Sequence, residues 1–358
     1  MALRTLASPL AAGIAGIVLA TVARAGDSWL AEPAGRQTRW LAEQAWILIG
    51  SSTILYLSVA IVFLIALRRG LRRRSPAAQP ENAENAENAE NAEDAVGALR
   101  RERIARRVVT GASLLVGLVL IALLTLDLVT RRGLAAITIP SPRTLSVTGH
   151  QFWWQIEYPG SEAGSEWATA NEIHIPVAEP ILVRVRTQDV IHGFWVPSLA
   201  GKVDLVPGRE ASLWLNAEGV GEHAGRCTEF CGLQHAGMGF RVIVQSPEEF
   251  ERWLAAQQEP ARAPTSPEAR RGREVFLGST CVGCHTIRGT PARGRTGPDL
   301  THLASRSTLG ATGVPNEPRW LRAWIEDPQR VKPGNAMPAS DLEPEELDAV
   351  VAYLSSLE

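Results

Sequence analysis

CTEFCGLQHAGM, residues 227–238, packs two of the chain's four cysteines, a histidine and a methionine into one short stretch. The spacing is Cys-x3-Cys-x3-His-x2-Met, and His192 stands upstream in DVIHGFWVP (189–197). Two thiolates, two imidazoles and a thioether suit copper. Structural zinc takes four Cys or His ligands and would leave Met238 idle. A mononuclear blue-copper site uses one cysteine and would leave the second idle. A disulfide between Cys227 and Cys231 would use none of the neighbours. Two cysteines four residues apart on one loop can instead place both sulfurs between two copper ions. One unpaired electron is then shared by both metals, so little geometry changes on oxidation or reduction. Rigid strands on either side pre-organise such a loop.

The flanking sequence supplies those strands. ILVRVRT (181–187), SLWLN (212–216) and FRVIV (240–244) alternate apolar and polar residues between Pro and Gly punctuation, which predicts a β-sandwich or barrel over 133–256. Ser246-Pro247-Glu248-Glu249 reads as a helix start, with Ser246 as N-cap, Pro247 at the first position and Glu249 closing the box. QQEPARAPTSP (257–267) is a proline-rich linker to a last domain over 268–358.

In that last domain CVGCH (281–285) has the form of a c-type haem attachment site: Cys281 and Cys284 for thioether bonds, His285 for the iron. A redox dithiol shares the Cys-x2-Cys spacing. GPDL (297–300) and Met337, within KPGNAMPAS (332–340), support the haem reading, with Met337 as second axial ligand and His302 as the competing one. A Met/His pair raises the potential of a haem, as an electron carrier in an oxidising chain requires.

Upstream, Arg4, an apolar run from Leu10 to Val22 and Ala23-Arg24-Ala25 read as a signal peptide over 1–25, with an uncleaved anchor as the alternative. Residues 45–67 and 108–130 are apolar and reach the roughly 20 residues that cross about 30 Å of hydrocarbon, so 40–132 is a transmembrane hairpin. Arginines 68, 69, 72, 73 and 74 close the first span, and 100, 101, 103, 106 and 107 open the second. The loop 68–107 is therefore cytoplasmic, and everything after about 133 lies on the other side. Its ENA repeat (81–94) has no apolar face and reads as a disordered or marginally helical spacer. A net charge of −2 over 358 residues gives no reason to expect nucleic-acid binding.

A hairpin followed by VTGHQFWWQIEYP (147–159), DVIHGFWVPSL (189–199), KVDLVPGR (202–209) and CTEFCGLQHAGM resembles cytochrome c oxidase subunit II in order and spacing. The resemblance covers about residues 40–255 and implies a cupredoxin-like β-barrel with a binuclear copper A centre. Its ligands would be His192, Cys227, Cys231, His235, Met238 and the carbonyl of Glu229. The Glu229 side chain would reach a magnesium ion shared with subunit I, and Asp204 would lie at that interface. The family commonly has Trp directly after His-Gln, where electrons arrive from soluble cytochrome c. Here that position is Phe152, followed by Trp153 and Trp154, so all three are electron-transfer candidates. Residues 268–358 resemble the all-α class I cytochromes c, which implies a helix with Gly272 and Phe276 crossing one with Tyr353 and Leu354.

Fusion of the two modules is the arrangement of caa-type oxidases. It implies a multi-pass chain of the bacterial plasma membrane, partnered by oxidase subunits I and III and by an external donor, cytochrome c or a bc-type complex. Electrons would run from haem c to copper and on to subunit I, where oxygen is reduced to water with proton translocation. Neither span holds a histidine, so no catalytic residue is expected in this chain. Glu102, at the mouth of the second span, reads as a solvated charge rather than a proton inlet. A nitric oxide reductase subunit and a tethered copper carrier are the competing functions.

Overall fold

The computed structural model describes residues 32–72, 84–135, 143–160 and 166–358. The predicted signal segment lies outside these residues. The chain divides into two compact units, one of residues 43–139 and one of residues 1–42 and 140–358.

The first unit is built on two helices, α1 (Arg36–Arg72) and α2 (Glu84–Ala135). Each is long and apolar enough to cross a membrane, over Arg36–Arg68 and Leu99–Val129. Ile54, Tyr56, Phe63, Leu114 and Leu118 are exposed rather than gathered into a core, as expected of helices whose solvent is hydrocarbon. Of the loop expected over 68–107, with its disordered or marginally helical ENA repeat, the described residues are helical: α1 runs on to Arg72, and α2 begins at Glu84 inside the repeat. Ala and Glu are strong helix formers, and the repeat extends an apolar helix already nucleated, which removes the initiation cost.

In the second unit ten strands form two five-stranded sheets. They are β1 (Thr144–His150), β2 (Trp153–Pro159), β3 (Glu166–Ala170), β4 (Glu172–Pro176), β5 (Ile181–Thr187), β6 (His192–Trp195), β7 (Val203–Leu205), β8 (Ala211–Leu215), β9 (Gly221–Cys227) and β10 (Gly239–Gln245). The sheet orders are β3-β2-β1-β5-β8 and β4-β10-β9-β6-β7. The β1–β5 and β4–β10 pairs are parallel and the others antiparallel. This is the cupredoxin-like sandwich that the resemblance implies. Period-two alternation builds its core: Trp154, Ile156 and Tyr158 of β2, Ile181, Val183 and Val185 of β5, and Phe240, Val242 and Val244 of β10 are buried. Register then does the functional work, since Phe194 pairs with Cys227 and His192 with Leu205. The first turn of α1 belongs to this unit, where the Thr38 hydroxyl donates to the Ser198 carbonyl at 2.7 Å.

Helix α3 (Pro247–Gln258) starts in the predicted capping box: Glu249 N donates to Ser246 Oγ at 3.3 Å, and Ser246 N to Glu249 Oε2 at 3.1 Å. It runs two residues past the expected end, so the segment between helices is shorter than 257–267. That segment is held down. Ala261 N donates to Arg288 O at 3.0 Å, and at the end of α3 the Arg288 guanidinium donates to the carbonyls of Gln257 (2.5 Å) and Gln258 (3.1 Å).

The last domain comprises α4 (Pro267–Gly278), α5 (Pro318–Glu326), α6 (Pro328–Val331) and α7 (Pro344–Leu354), with a two-strand pair β11 (Thr308–Leu309) and β12 (Val314–Pro315). As expected, α4 crosses α7 at Gly272, where a Cβ would collide with the Ala349 carbonyl; only glycine permits the approach. Phe276 meets Tyr353 edge-on one turn later, with centroids 6.0 Å apart.

Candidate copper and haem sites

The loop between β9 and β10 gathers the predicted copper ligands. Cys227 Sγ lies 3.9 Å from His192 Nδ1 and 3.2 Å from the Glu229 carbonyl oxygen. Cys231 Sγ lies 3.8 Å from His235 Nδ1 and 3.8 Å from Met238 Sδ. The two sulfurs are 3.9 Å apart, far beyond the roughly 2.05 Å of a disulfide. Each sulfur thus has one imidazole and one further donor, a near-symmetric set of soft donors. That is the donor chemistry of a copper pair; zinc would leave Met238 without a role. His192, Cys227 and Cys231 are buried, and their ligand atoms all fall within 4.8 Å of one another.

Neighbouring groups hold this set in place. His192 Nε2 faces Asp189 Oδ1 at 2.8 Å, which turns Nδ1 toward the sulfur. Asp189 also accepts from the backbone N–H groups of Val190 and Gln151, both at 2.7 Å. Burial opposes ionisation of both thiols. At Cys227 the His192 imidazole and backbone groups at Gly193 and Glu229 outweigh it and pull the thiol down. Cys231 is pushed up by burial and by the charge of Cys227. A chain without metal therefore gives up one of this pair of protons readily and holds the other, which a metal must displace. Gly193 admits the loop: a Cβ there would press on Thr228 and Glu229 N.

An apolar cavity in the last domain is lined by Cys281, Cys284, His285 and Met337 together. His285 Nδ1 faces the Pro298 carbonyl at 2.8 Å, which leaves Nε2 as the free nitrogen. Met337 is positioned by its N–H donating to Asn335 Oδ1 at 2.8 Å. Arg306 also lines the cavity, and its buried Nε has no protein partner, a donor suited to an acidic haem edge. His302, the competing axial ligand, faces elsewhere: its ring nitrogens approach oxygens of Glu358 (2.9 Å) and Glu259 (3.0 Å).

The two sites share a wall. Gln151, Phe152 and Trp153, on the turn between β1 and β2, line the same cavity as His285 and Met337. Gln151 Nε2 donates to the Cys231 carbonyl at 2.5 Å. Trp153 stacks on His150 at 4.4 Å. Trp154 is turned the other way: fully buried beneath the copper loop, it donates through Nε1 to the Met238 carbonyl at 3.4 Å. Asp204 is exposed on β7, with Lys202 Nζ at 3.4 Å, and the Glu229 side chain makes no resolved contact with it among the described residues.

Sequence reading did not find Gln151, Asp189 or Lys332. Lys332 is 1 % exposed, and its Nζ donates to the carbonyls of Phe152 (2.6 Å), Gly237 (3.0 Å) and Gly310 (2.6 Å). Burial pulls its pKa down to about 7, against the pull of Cys231. Its place in a Lys-Pro-Gly loop carried no signal, because its acceptors are backbone atoms far away in sequence.

Comparison with known proteins agrees with both halves. A family model described as the cytochrome c oxidase subunit II periplasmic domain matches residues 161–246, and one described as cytochrome c matches 269–358. Cytochrome c oxidase subunit 2 of Alkalihalophilus pseudofirmus is 37 % identical over 247 residues, 67 % of this chain and 70 % of that one. The Bacillus subtilis subunit 2 is 30 % identical over 224 residues, 60 % of this chain and 62 % of its own length. The crystal structure of the periplasmic domain of subunit II of cytochrome oxidase from Bradyrhizobium japonicum aligns at 31 % identity, covering 34 % of this chain and 97 % of that one, with a TM-score of 0.31.

A thiolate-rich loop on a cupredoxin-like sandwich, joined to a c-type cytochrome and to two apolar helices, defines a membrane protein of electron transfer with an external domain. The chain belongs to the cytochrome c oxidase subunit II family. It is thus part of a haem-copper terminal oxidase, an oxidoreductase whose other subunits it associates with. Copper A and haem c are the cofactors its two domains imply.

Proposed function

We propose that electrons from an external donor, cytochrome c or a bc-type complex, reach haem c first, then the copper pair, and then subunit I. There oxygen is reduced and protons are translocated. In this reading His192, Cys227, Cys231, His235, Met238 and the Glu229 carbonyl hold the copper. Cys281 and Cys284 bind the haem covalently, and His285 and Met337 are its axial ligands. The Glu229 side chain serves a magnesium ion shared with subunit I, and Asp204 contacts that subunit. Subunit III completes the assembly. The chain is multi-pass in the bacterial plasma membrane, with both redox domains on the outer side.

One observation supports the series path above the others: Gln151 and Phe152 line the haem cavity, while the Gln151 amide is bonded to Cys231. The haem supplies a one-electron iron couple, and its Met ligand holds the potential high. The chain's own residues hold His192 and His285 in fixed orientations and place the Phe152 ring against the copper loop at Gly232. Phe152 thereby replaces a landing site for a diffusing donor with a fixed internal contact, and Trp153 forms the cavity wall beside it.

Rapid mixing of the purified oxidase with reductant tests this. Copper reduction that follows haem reduction, at a rate independent of protein concentration, is expected. Second-order reduction of copper by a soluble cytochrome, with the attached haem bypassed, overturns the path.

A further inference from the structure

We infer that Lys332 is a positioning residue that locks the haem crevice onto the copper loop. The inference rests on the haem-to-copper path above. A buried lysine usually has a carboxylate partner, but the three hydrogen-bond partners of this one are backbone carbonyls. An ammonium group has three N–H donors and a neutral amine two, so only the charged form satisfies all three acceptors.

The acceptors come from three places that otherwise have no common element. Phe152 O lies on the β1–β2 turn that walls the haem cavity. Gly237 O lies between two predicted copper ligands, His235 and Met238. Gly310 O lies on the turn after β11 in the cytochrome domain. Lys332 itself stands five residues before Met337, on the loop that carries the predicted axial sulfur. One side chain therefore ties the haem ligand loop, the copper ligand loop and the aromatic turn between them. Other contacts accompany it, among them Gly239 N donating to Ala311 O at 3.1 Å, Glu172 Oε1 accepting from Ser307 N at 2.7 Å, and Leu233 packing against Gly334. The hydrogen bond from Lys332 joins the haem-ligand loop to the turn at Phe152. Lys332 exchanges no electron: the one lost by ferrous iron is the one gained by the copper pair. Its charged form, the one that fills all three carbonyls, favours the reduced state of whichever centre is near, so it bears on potential as well as distance.

Lys202 and Lys332 are the chain's only lysines, which makes a clean test possible. In the intact oxidase, an amine-acylating reagent read by peptide mass spectrometry should leave Lys332 unmodified until the protein is denatured. Ready acylation of native Lys332 overturns the lock. In the same oxidase carrying Lys332→Met, haem and copper content should stay at wild-type levels. Haem-to-copper transfer should slow by about tenfold or more, the order expected when reacting partners lose their fixed geometry. The copper midpoint potential should fall. A fully loaded variant with unchanged transfer rate and potential also overturns the inference. If the variant does not assemble, the labelling result on wild-type protein decides it. If wild-type oxidase shows no concentration-independent transfer, the series path fails, and labelling still reports whether Lys332 is locked.

Discussion

Cys227 Sγ and Cys231 Sγ stand 3.9 Å apart, and each also lies within 3.9 Å of its own imidazole, His192 and His235. A disulfide would require the pair to close and would leave His192, His235 and Met238 with nothing to bind. The purified oxidase should therefore contain a copper pair and one covalent haem for each copy of this chain. Cys231→Ser should abolish the paired-copper electron resonance signal while covalent haem stays at the wild-type level. Zinc in place of copper, or an unchanged signal in that variant, would show that the loop serves another purpose.

The two methionines should act on separate centres. Met238 Sδ lies 3.8 Å from Cys231 Sγ, whereas Met337 lines the haem cavity. Met238→Leu should alter the copper spectrum and leave the haem unchanged. Met337→Leu should abolish the absorbance of sulfur-ligated haem and lower its potential. An unchanged haem spectrum in Met337→Leu would require a different sixth ligand, and His302 is turned away from that role.

Gly272→Ala tests the helix crossing. The added methyl meets the Ala349 carbonyl, and neither backbone can yield without moving α4 against α7. A loss of roughly 1–3 kcal/mol is expected, typical of overpacking in a close-packed interior. Thermal unfolding followed at the haem Soret band should show a lowered midpoint, while the copper signal melts as in wild type. An unaltered Soret midpoint would mean that the crossing is looser than described.

His174 should make the β-sandwich acid-sensitive. It is buried against Trp253, with ring centroids 3.9 Å apart, and its Nδ1 faces Gln245 Oε1 at 3.0 Å. Burial lowers its pKa from 6.5 to about 4, with the Gln245 hydrogen bond pulling the other way. The folded state thus prefers the neutral ring. Its contribution is complete above pH 6.5, declines as the pH falls from 6.5 toward 4, and is lost below that. The whole effect is at most roughly 3 kcal/mol. Denaturant titrations across this range should show a steeper decline for wild type than for His174→Asn. Parallel slopes would remove His174 as the cause.

Both candidate metal sites were legible in the sequence because their proposed ligands are rare residues held at short, chemically constrained spacings. Cys227, Cys231, His235 and Met238 share one loop, and Cys281, Cys284 and His285 share one turn, so local spacing already limits what they can bind. The apolar spans and the capping box at Ser246 were legible for the same reason, since helix geometry links positions a few residues apart; the crossing of Gly272 and Tyr353 came instead from the resemblance to class I cytochromes c. The helix that begins at Glu84 was harder, because its repeat has good propensity but no apolar face to reveal it.

Tertiary structure alone decided how the two sites meet. Phe152 departs from the family's usual tryptophan, and only the fold shows that it lines the cavity of the last domain while its ring packs against the copper loop at Gly232. Trp153 and Trp154 are neighbours in sequence, but strand alternation sends one to the cavity and the other to the sandwich core. Lys332 reaches Phe152 across 180 residues through a backbone carbonyl, an acceptor that every residue type presents equally. Sequence records side chains and their local periods. A bond from a side chain to a distant main-chain oxygen leaves no pattern in it, and only the folded backbone brings such a pair together.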